Sequence, residues 1–161
     1  MVEQLDRFHG VAYLLGALTH ASEKNLGQSS HSICVLAGKK FGREAVEDLE
    51  QTDDPEKAVK LLKTALEKRG IVWDFEPFKG EHDELIEKRD GAEVMRLVFR
   101  TCMVRNALFR YAHEQKESMC YMAHGVFSGA MEKVMPGKKV SLEILHAGPN
   151  ACLKEMILED A

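Results

Sequence analysis

The sequence predicts an α+β domain, with N-terminal helices packed on a mainly antiparallel sheet and a C-terminal helix followed by a hairpin. Three observations predict it. Apolar residues recur at helical spacing through roughly the first 70 residues. After Gly70 the apolar period changes to that of strands. The last third then holds one more helical stretch and two strand-like runs around Gly148-Pro149-Asn150. A chain of 161 residues, 45% hydrophobic and 30% charged, suits one domain with a substantial core. That domain is expected to span 1–161, helical to about residue 70 and mixed strand and helix from about 71 to 161.

The first helix is expected from Val2 to about Thr19, because Leu5, Phe8, Val11, Ala12, Leu15 and Leu18 fall on one face. Asn25 to Ser30 is polar, contains Gly27 and reads as a loop. A second helix is expected from Ser30 to Leu49, with Cys34, Ala37, Gly38, Phe41, Ala45 and Leu49 as its stripe. Gly38 and Gly42 lie one turn apart. They suit either close helix packing or a ligand slot, and packing is the simpler reading. Asp54 is a good N-cap and Pro55 a good first helical residue, so a third helix runs from there to Arg69 and stops at Gly70.

Ile71 to Phe78 reads as a strand, with Pro77 better placed at an edge or an end than in the centre. The charged run Lys79 to Gly91 reads as a connection or a poor hairpin end. From Ala92 to Val104, Met95, Leu97, Phe99 and Met103 alternate with Arg96 and Arg100, the pattern of a half-buried strand. Asn106 to Ser118 gives no firm assignment. A fourth helix is expected over Met119 to Met135, stopped by Pro136-Gly137. Strands over Lys138–Leu145 and Ala151–Leu158 would form the closing hairpin.

The charge balance excludes some functions. Lys and Arg number 22 against 26 Asp and Glu, a net charge of −4, and no basic stripe appears. That argues against direct nucleic-acid binding. No apolar run reaches membrane-span length, and Met1 to Asp6 lacks the basic start and apolar core of a signal peptide. A cytoplasmic protein with reduced thiols is therefore expected. Its four cysteines read as core residues or metal ligands.

Cys120, Glu143, His146 and Cys152 stand out as a metal-ligand set. Two thiolates, an imidazole and a carboxylate make a donor shell that zinc accepts in tetrahedral geometry. Cys120 would come from the start of the fourth helix, and the other three from the hairpin. Strand alternation sends Glu143 and His146 to opposite faces unless the strand ends or bulges near Leu145. Cys102 is a rival for the fourth position, although regular alternation places it with Arg96 and Arg100. His124, four residues after Cys120, shares its helical face. The competing reading is a set of separate buried thiols, the commoner fate of free cysteine. Cys34, on an apolar stripe, reads as core.

The run Cys120 to Leu158 resembles the 4-vinyl reductase domain, also described as a hydrocarbon-binding domain. The resemblance rests on Cys120 early in a helix, Gly125 and Gly129 after it, then Glu143, His146, Gly148 and Cys152 in order. Lys39 to Ala45 is similar to that family's Gly-Arg helix. The family usually has Cys at the position of His146, and the interval from His146 to Cys152 is shorter here. The resemblance implies a fold similar to the haem–nitric-oxide-binding domain and to a vesicle-tethering subunit family. It also implies a homodimer and, in aromatic-responsive bacterial regulators, a small apolar ligand beside a structural zinc. One relative is tied to reduction of a vinyl group in bacteriochlorophyll synthesis.

Two functions follow. The first is a binding or sensory module for a small hydrophobic molecule, with zinc (iron or an iron–sulfur cluster as alternatives) clasping the hairpin. Phe41, Trp73, Phe99 and Phe127 are its expected lining, on size and predicted inward direction. The second is a cysteine-dependent hydrolase or reductase-associated enzyme, with Cys102 or Cys120 as nucleophile and His124 or His146 as base. No Ser/His/Asp set, phosphate loop or dinucleotide fingerprint supports a more specific activity.

Overall fold

The computed structural model describes residues 2–71, 73–80, 84–102, 104–105 and 117–161. The elements are α1 (Val2–Leu26), α2 (Gln28–Ala45), α3 (Pro55–Lys68), β1 (Trp73–Pro77), β2 (Ile86–Arg89), β3 (Ala92–Cys102), α4 (Ser118–Val134), β4 (Lys138–Ala147) and β5 (Cys152–Asp160). The fold is α+β, as the sequence predicts. Met103 and the unassigned run 106–116 lie outside the described residues, as do the side chains of Leu5, Phe8 and Ala12.

Most of the expected elements form, with shifted ends. The loop expected over Asn25–Ser30 contracts to Gly27, whose φ of 54° suits glycine, and α1 continues to Leu26. Asp54 caps α3 by accepting from the backbone N–H of Glu56 at 2.9 Å and of Lys57 at 3.3 Å. The strand β2 falls in the charged run read as a connection or a poor hairpin end, and it forms a hairpin with β3. Its signal was Asp90-Gly91, both at positive φ (53° and 83°), a two-residue hairpin turn joining Arg89 to its partner Ala92.

All the strand pairs are antiparallel, in the order β1–β3–β5–β4, with β2 also paired to β3. Met95, Leu97 and Phe99 of β3 pair with Met156, Lys154 and Cys152 of β5, and together they face the helices. Phe75, Phe99 and Phe127 form an aromatic cluster between sheet and α4, with ring centroids 5.2, 5.4 and 6.2 Å apart.

The tightest helix contact joins α2 to α4. A Cβ on Gly38 or Gly42 would fall inside the contact distance of the carbonyl oxygens of Met122 and Val126. A Cβ on Gly125 or Gly129 would strike the carbonyls of Val35 and Lys39. The two backbones therefore touch, which only glycine permits. Polar contacts close both ends. Ser30 and Ser118 share a buried hydrogen bond of 2.9 Å at one end, and Glu132 accepts from Lys39 at 2.6 Å and Arg43 at 3.0 Å at the other.

By contrast, α1 lies loosely on this pair. Its apolar stripe is largely outward, with Val11 66%, Leu14 70% and Leu18 65% exposed. Glu23 ties it down by accepting from the first N–H of α4, at Ser118, over 2.9 Å.

Two glycine substitutions should therefore move stability in opposite directions. Gly42→Ala should destabilise by about 1–3 kcal/mol or more, since the clash is with backbone. Gly10→Ala, in α1 with nothing near its Cβ position, should stabilise by about 0.5–1 kcal/mol through helix propensity. Urea unfolding of the two variants beside the parent checks both signs.

Candidate functional site

A cavity of about 290 Å³ opens where α1, α2 and α4 meet the start of β1. Leu15 and Thr19 of α1, Cys34 and Phe41 of α2, and Met119, Met122, Ala123 and Val126 of α4 form most of its wall. Ile71, Trp73 and Val104 complete it. The helix residues flank Gly38, Gly42 and Gly125, so the cavity sits where larger side chains splay from the glycine contact. Its polar groups are few. The Thr19 hydroxyl donates to the Leu15 carbonyl at 2.7 Å and is already satisfied. Burial pushes the Cys34 thiol pKa up, against a lowering hydrogen bond to Ser118, so the thiol stays protonated. Trp73 also borders the cavity; its indole Nε1 is buried and has no hydrogen-bond partner among the described residues. A larger groove of about 540 Å³ runs between α2 and α3, but Lys57, Lys60, Lys68, Arg69 and Asp48 give it a charged rim.

Phe41 and Trp73 thus lie on the cavity wall. Phe99 and Phe127 lie in the aromatic cluster between α4 and the sheet and do not line it. The sulfur-bearing wall was legible in part: the methionines at Met119, Met122, Met131 and Met135 suit either an adaptable apolar pocket or core filling, and Met119 and Met122 line the cavity, whereas Cys34 reads as core from its apolar stripe.

The expected metal ligands divide between two faces of the sheet. The bulge that the sequence required near Leu145 is present, between Ile144 and His146. It puts Glu143 and His146 on one face, opposite Glu155 and Leu153, where both are exposed. Cys152 points the other way, buried in the core, and Cys120 packs against that same core from α4. Among the described residues, no three His, Cys, Asp or Glu side chains gather as a metal site. The structure therefore does not bring Cys120, Glu143, His146 and Cys152 together as the expected hairpin clasp requires, because a β-sheet separates the two pairs of donors.

A second bulge changes the place of Cys102. The β1–β3 register shifts between Asp74 and Phe75, so Cys102 pairs with Trp73 and packs on the inner core, away from Arg96 and Arg100. Cys102, Cys120 and Cys152 all come within electrostatic range of the Lys154 ε-amine. Lys154 is only 6% exposed, and its Nζ sits 4.7 Å from the centre of the Phe99 ring. Burial lowers its pKa, and the sulfurs of Cys120, Cys102 and Cys152 offset part of that. Arg105 is also buried. It donates to the Phe99 carbonyl at 3.3 Å, to the Arg100 carbonyl, and weakly to Cys152 Sγ at 3.8 Å.

His124 borders this cluster from α4. Burial first, and the Lys154 charge second, lower its pKa to about 3. Among the described residues its buried Nε2 has no hydrogen-bond partner, so neither Cys102 nor Cys120 donates to it. His146, the other expected base, lies across the sheet from both thiols. His31 accepts or donates a 3.0 Å hydrogen bond with Glu117 and stacks on Tyr121 at 4.3 Å, a packing role. The side chain of His9, and the whole of His82 and His113, lie outside the described residues.

Compared with known protein families and with curated proteins, the sequence matches none. The fold does have a solved counterpart. It is similar to the phenol-responsive sensory domain of the transcription activator PoxR, solved with phenol, at a TM-score of 0.59 and 14% identity. The match covers 92% of this chain and 74% of that one. At that identity the likeness is one of fold. No helix among the described residues is long and apolar enough to cross a membrane.

The His124 ring makes stability depend on pH. Its folded pKa of about 3 lies below the ordinary 6.5, so its contribution is complete above about 6.5 and is lost as pH falls toward 3. Between pH 7.5 and 5 the parent should lose about 2 kcal/mol more than His124→Leu. Urea unfolding at the two pH values measures the difference; equal losses in parent and variant would contradict a buried neutral ring.

Proposed function

We propose that this chain binds a small, mostly apolar aromatic molecule in the α1/α2/α4 cavity and acts as a sensory or carrier module. The observation that carries this reading is an apolar cavity bordered by Trp73, whose indole Nε1 is buried and has no hydrogen-bond partner among the described residues. Burying a polar N–H without a partner costs about 1–3 kcal/mol, so a ligand oxygen that accepts from it recovers that energy. An engineered apolar cavity of about 150 Å³ binds benzene. The 290 Å³ here therefore suits one substituted ring. Cys34, Met119 and Met122 add polarisable sulfurs, which favour aromatic faces and edges. The fold shared with a phenol-responsive sensory domain supports the same class of ligand.

The ordered residues from Cys120 to Cys152 support membership of the 4-vinyl reductase group on sequence pattern. We take the outward stripe Val11, Leu14 and Leu18 of α1 as the face on which two copies associate. Sedimentation should then give a dimer for the parent and a monomer for a Leu14→Lys, Leu18→Lys double variant.

Ligand binding is tested by calorimetry with phenol and toluene, similar in size but different at one group. Phenol should bind about five-fold tighter than toluene, the value of one hydrogen bond of about 1 kcal/mol. Trp73→Phe keeps a ring in the wall and removes the donor, so the difference between the two ligands should vanish. Equal affinity of the parent for both would show that the indole N–H does not read the ligand.

A further inference from the structure

One wall of the cavity is held differently from the others. The α2 and α4 walls are fixed by the backbone contact at Gly38, Gly42, Gly125 and Gly129, and Trp73 is fixed by its pairing in the sheet. Leu15 and Thr19 belong to α1, which is held more lightly. Of the α1 residues whose burial is described, only Gly16 is buried, and Leu15 stays 45% exposed although it borders the cavity. Three polar side chains spend their hydrogen bonds on α1 itself. Thr19 donates to the Leu15 carbonyl at 2.7 Å, Ser22 to the Leu18 carbonyl at 2.9 Å and Asn25 to the Ala21 carbonyl at 2.7 Å. A helix with so little burial can lift away at small cost to the core.

The end of α1 is suited to a hinge. Gly27 is the single residue between α1 and α2, its φ is 54°, and a Cβ there would meet nothing within 4 Å. On the α2 side, its carbonyl accepts from the Ser30 N–H at 3.1 Å and from the Ser30 hydroxyl at 2.7 Å. Ser30 in turn is bonded to Ser118 of α4, so that side is anchored. On the α1 side, Glu23 lies one turn before the hinge and accepts from the Ser118 N–H at 2.9 Å. A carboxylate at a helix N-terminus is a favourable tie, and one exchanged for water when the helix lifts.

We propose that α1 is a hinged cover on the cavity: it turns about Gly27, Glu23 latches it to the N-terminus of α4, and the ligand enters and leaves when the latch opens. The cover rests on the reading of the cavity as an aromatic-ligand site and adds the way in. Closed, it sets Leu15 and Thr19 against a bound ring, so occupation favours the closed position.

Trp73 is the one tryptophan of the chain and borders the cavity, so its fluorescence reports entry. The first arm uses acrylamide, a small neutral quencher, on the full chain without an aromatic ligand. Quenching should be at least about two-fold stronger in Glu23→Ala than in the parent, because the opened helix is more populated. Equal quenching in the two would overturn the cover.

The second arm uses Thr19→Cys, oxidised so that the new thiol joins the native Cys34 and pins α1 to α2. Association and dissociation of phenol should both slow at least about ten-fold in the oxidised protein, with Kd held within about three-fold, since a pinned cover raises the barrier and leaves the site intact. Reduction should restore both rates. Unchanged rates in the disulfide-linked protein would overturn the cover. Absence of phenol binding in the parent would instead defeat the reading of the cavity, and acrylamide quenching would still decide whether α1 opens.

Discussion

The contact between the backbones of α2 and α4 governs the arrangement of the rest. Gly38 and Gly42 on one helix meet Gly125 and Gly129 on the other, so carbonyl groups fill the space that side chains normally occupy. At such short range the relative shift and rotation of the helices have little freedom, because interiors pack to near-crystalline density. One face of α4 is thereby committed to α2, and its opposite face carries Phe127 and Met131 onto the sheet. The cavity depends on this rotation. Met119, Met122, Ala123 and Val126 turn to it, while Cys120 packs on the core.

The sheet then decides which donors can meet. Side chains on a strand alternate, so one inserted residue moves everything beyond it to the other face. Two bulges do this here. The one at Ile144/His146 brings His146 to the face of Glu143, away from Cys152. The one opposite Asp74/Phe75 brings Cys102 inward, toward Cys152. The outcome is a sorting of charge. Arg89 and Arg96 hold Glu155 on the outer face, at 2.6 and 3.3 Å, while the inner face carries the buried Lys154 amine over the Phe99 ring. The outer network satisfies a buried carboxylate with two guanidinium groups, a favourable arrangement only because each charge has a partner.

Together these constraints leave an apolar cavity whose lining comes from three helices and the start of one strand. The loosely packed α1 supplies Leu15 and Thr19 to the cavity while presenting its other apolar residues outward. In the proposed reading, occupation of the cavity and association of two copies both involve α1, a physical route by which a bound molecule would be reported.

The sequence by itself determined the fold class, the order of helices and strands and the caps of α3, because periodicity, Asp54-Pro55 and Gly70 act over a few residues. It also carried the Gly38/Gly42 spacing that makes helix packing possible, and it pointed to Phe41 and Trp73, which line the cavity. The β2 hairpin was legible in Asp90-Gly91, although the charge of the segment left it between a connection and a poor hairpin end. Only the tertiary structure decided which faces those residues turn to one another. The burial of Lys154 between hydrophobic neighbours, the inward turn of Cys102 and the separation of Glu143 from Cys152 all depend on strand register. Register is set by pairing between distant segments and by bulges, and a change of one residue there reverses the direction of a side chain without altering the local pattern that the sequence displays.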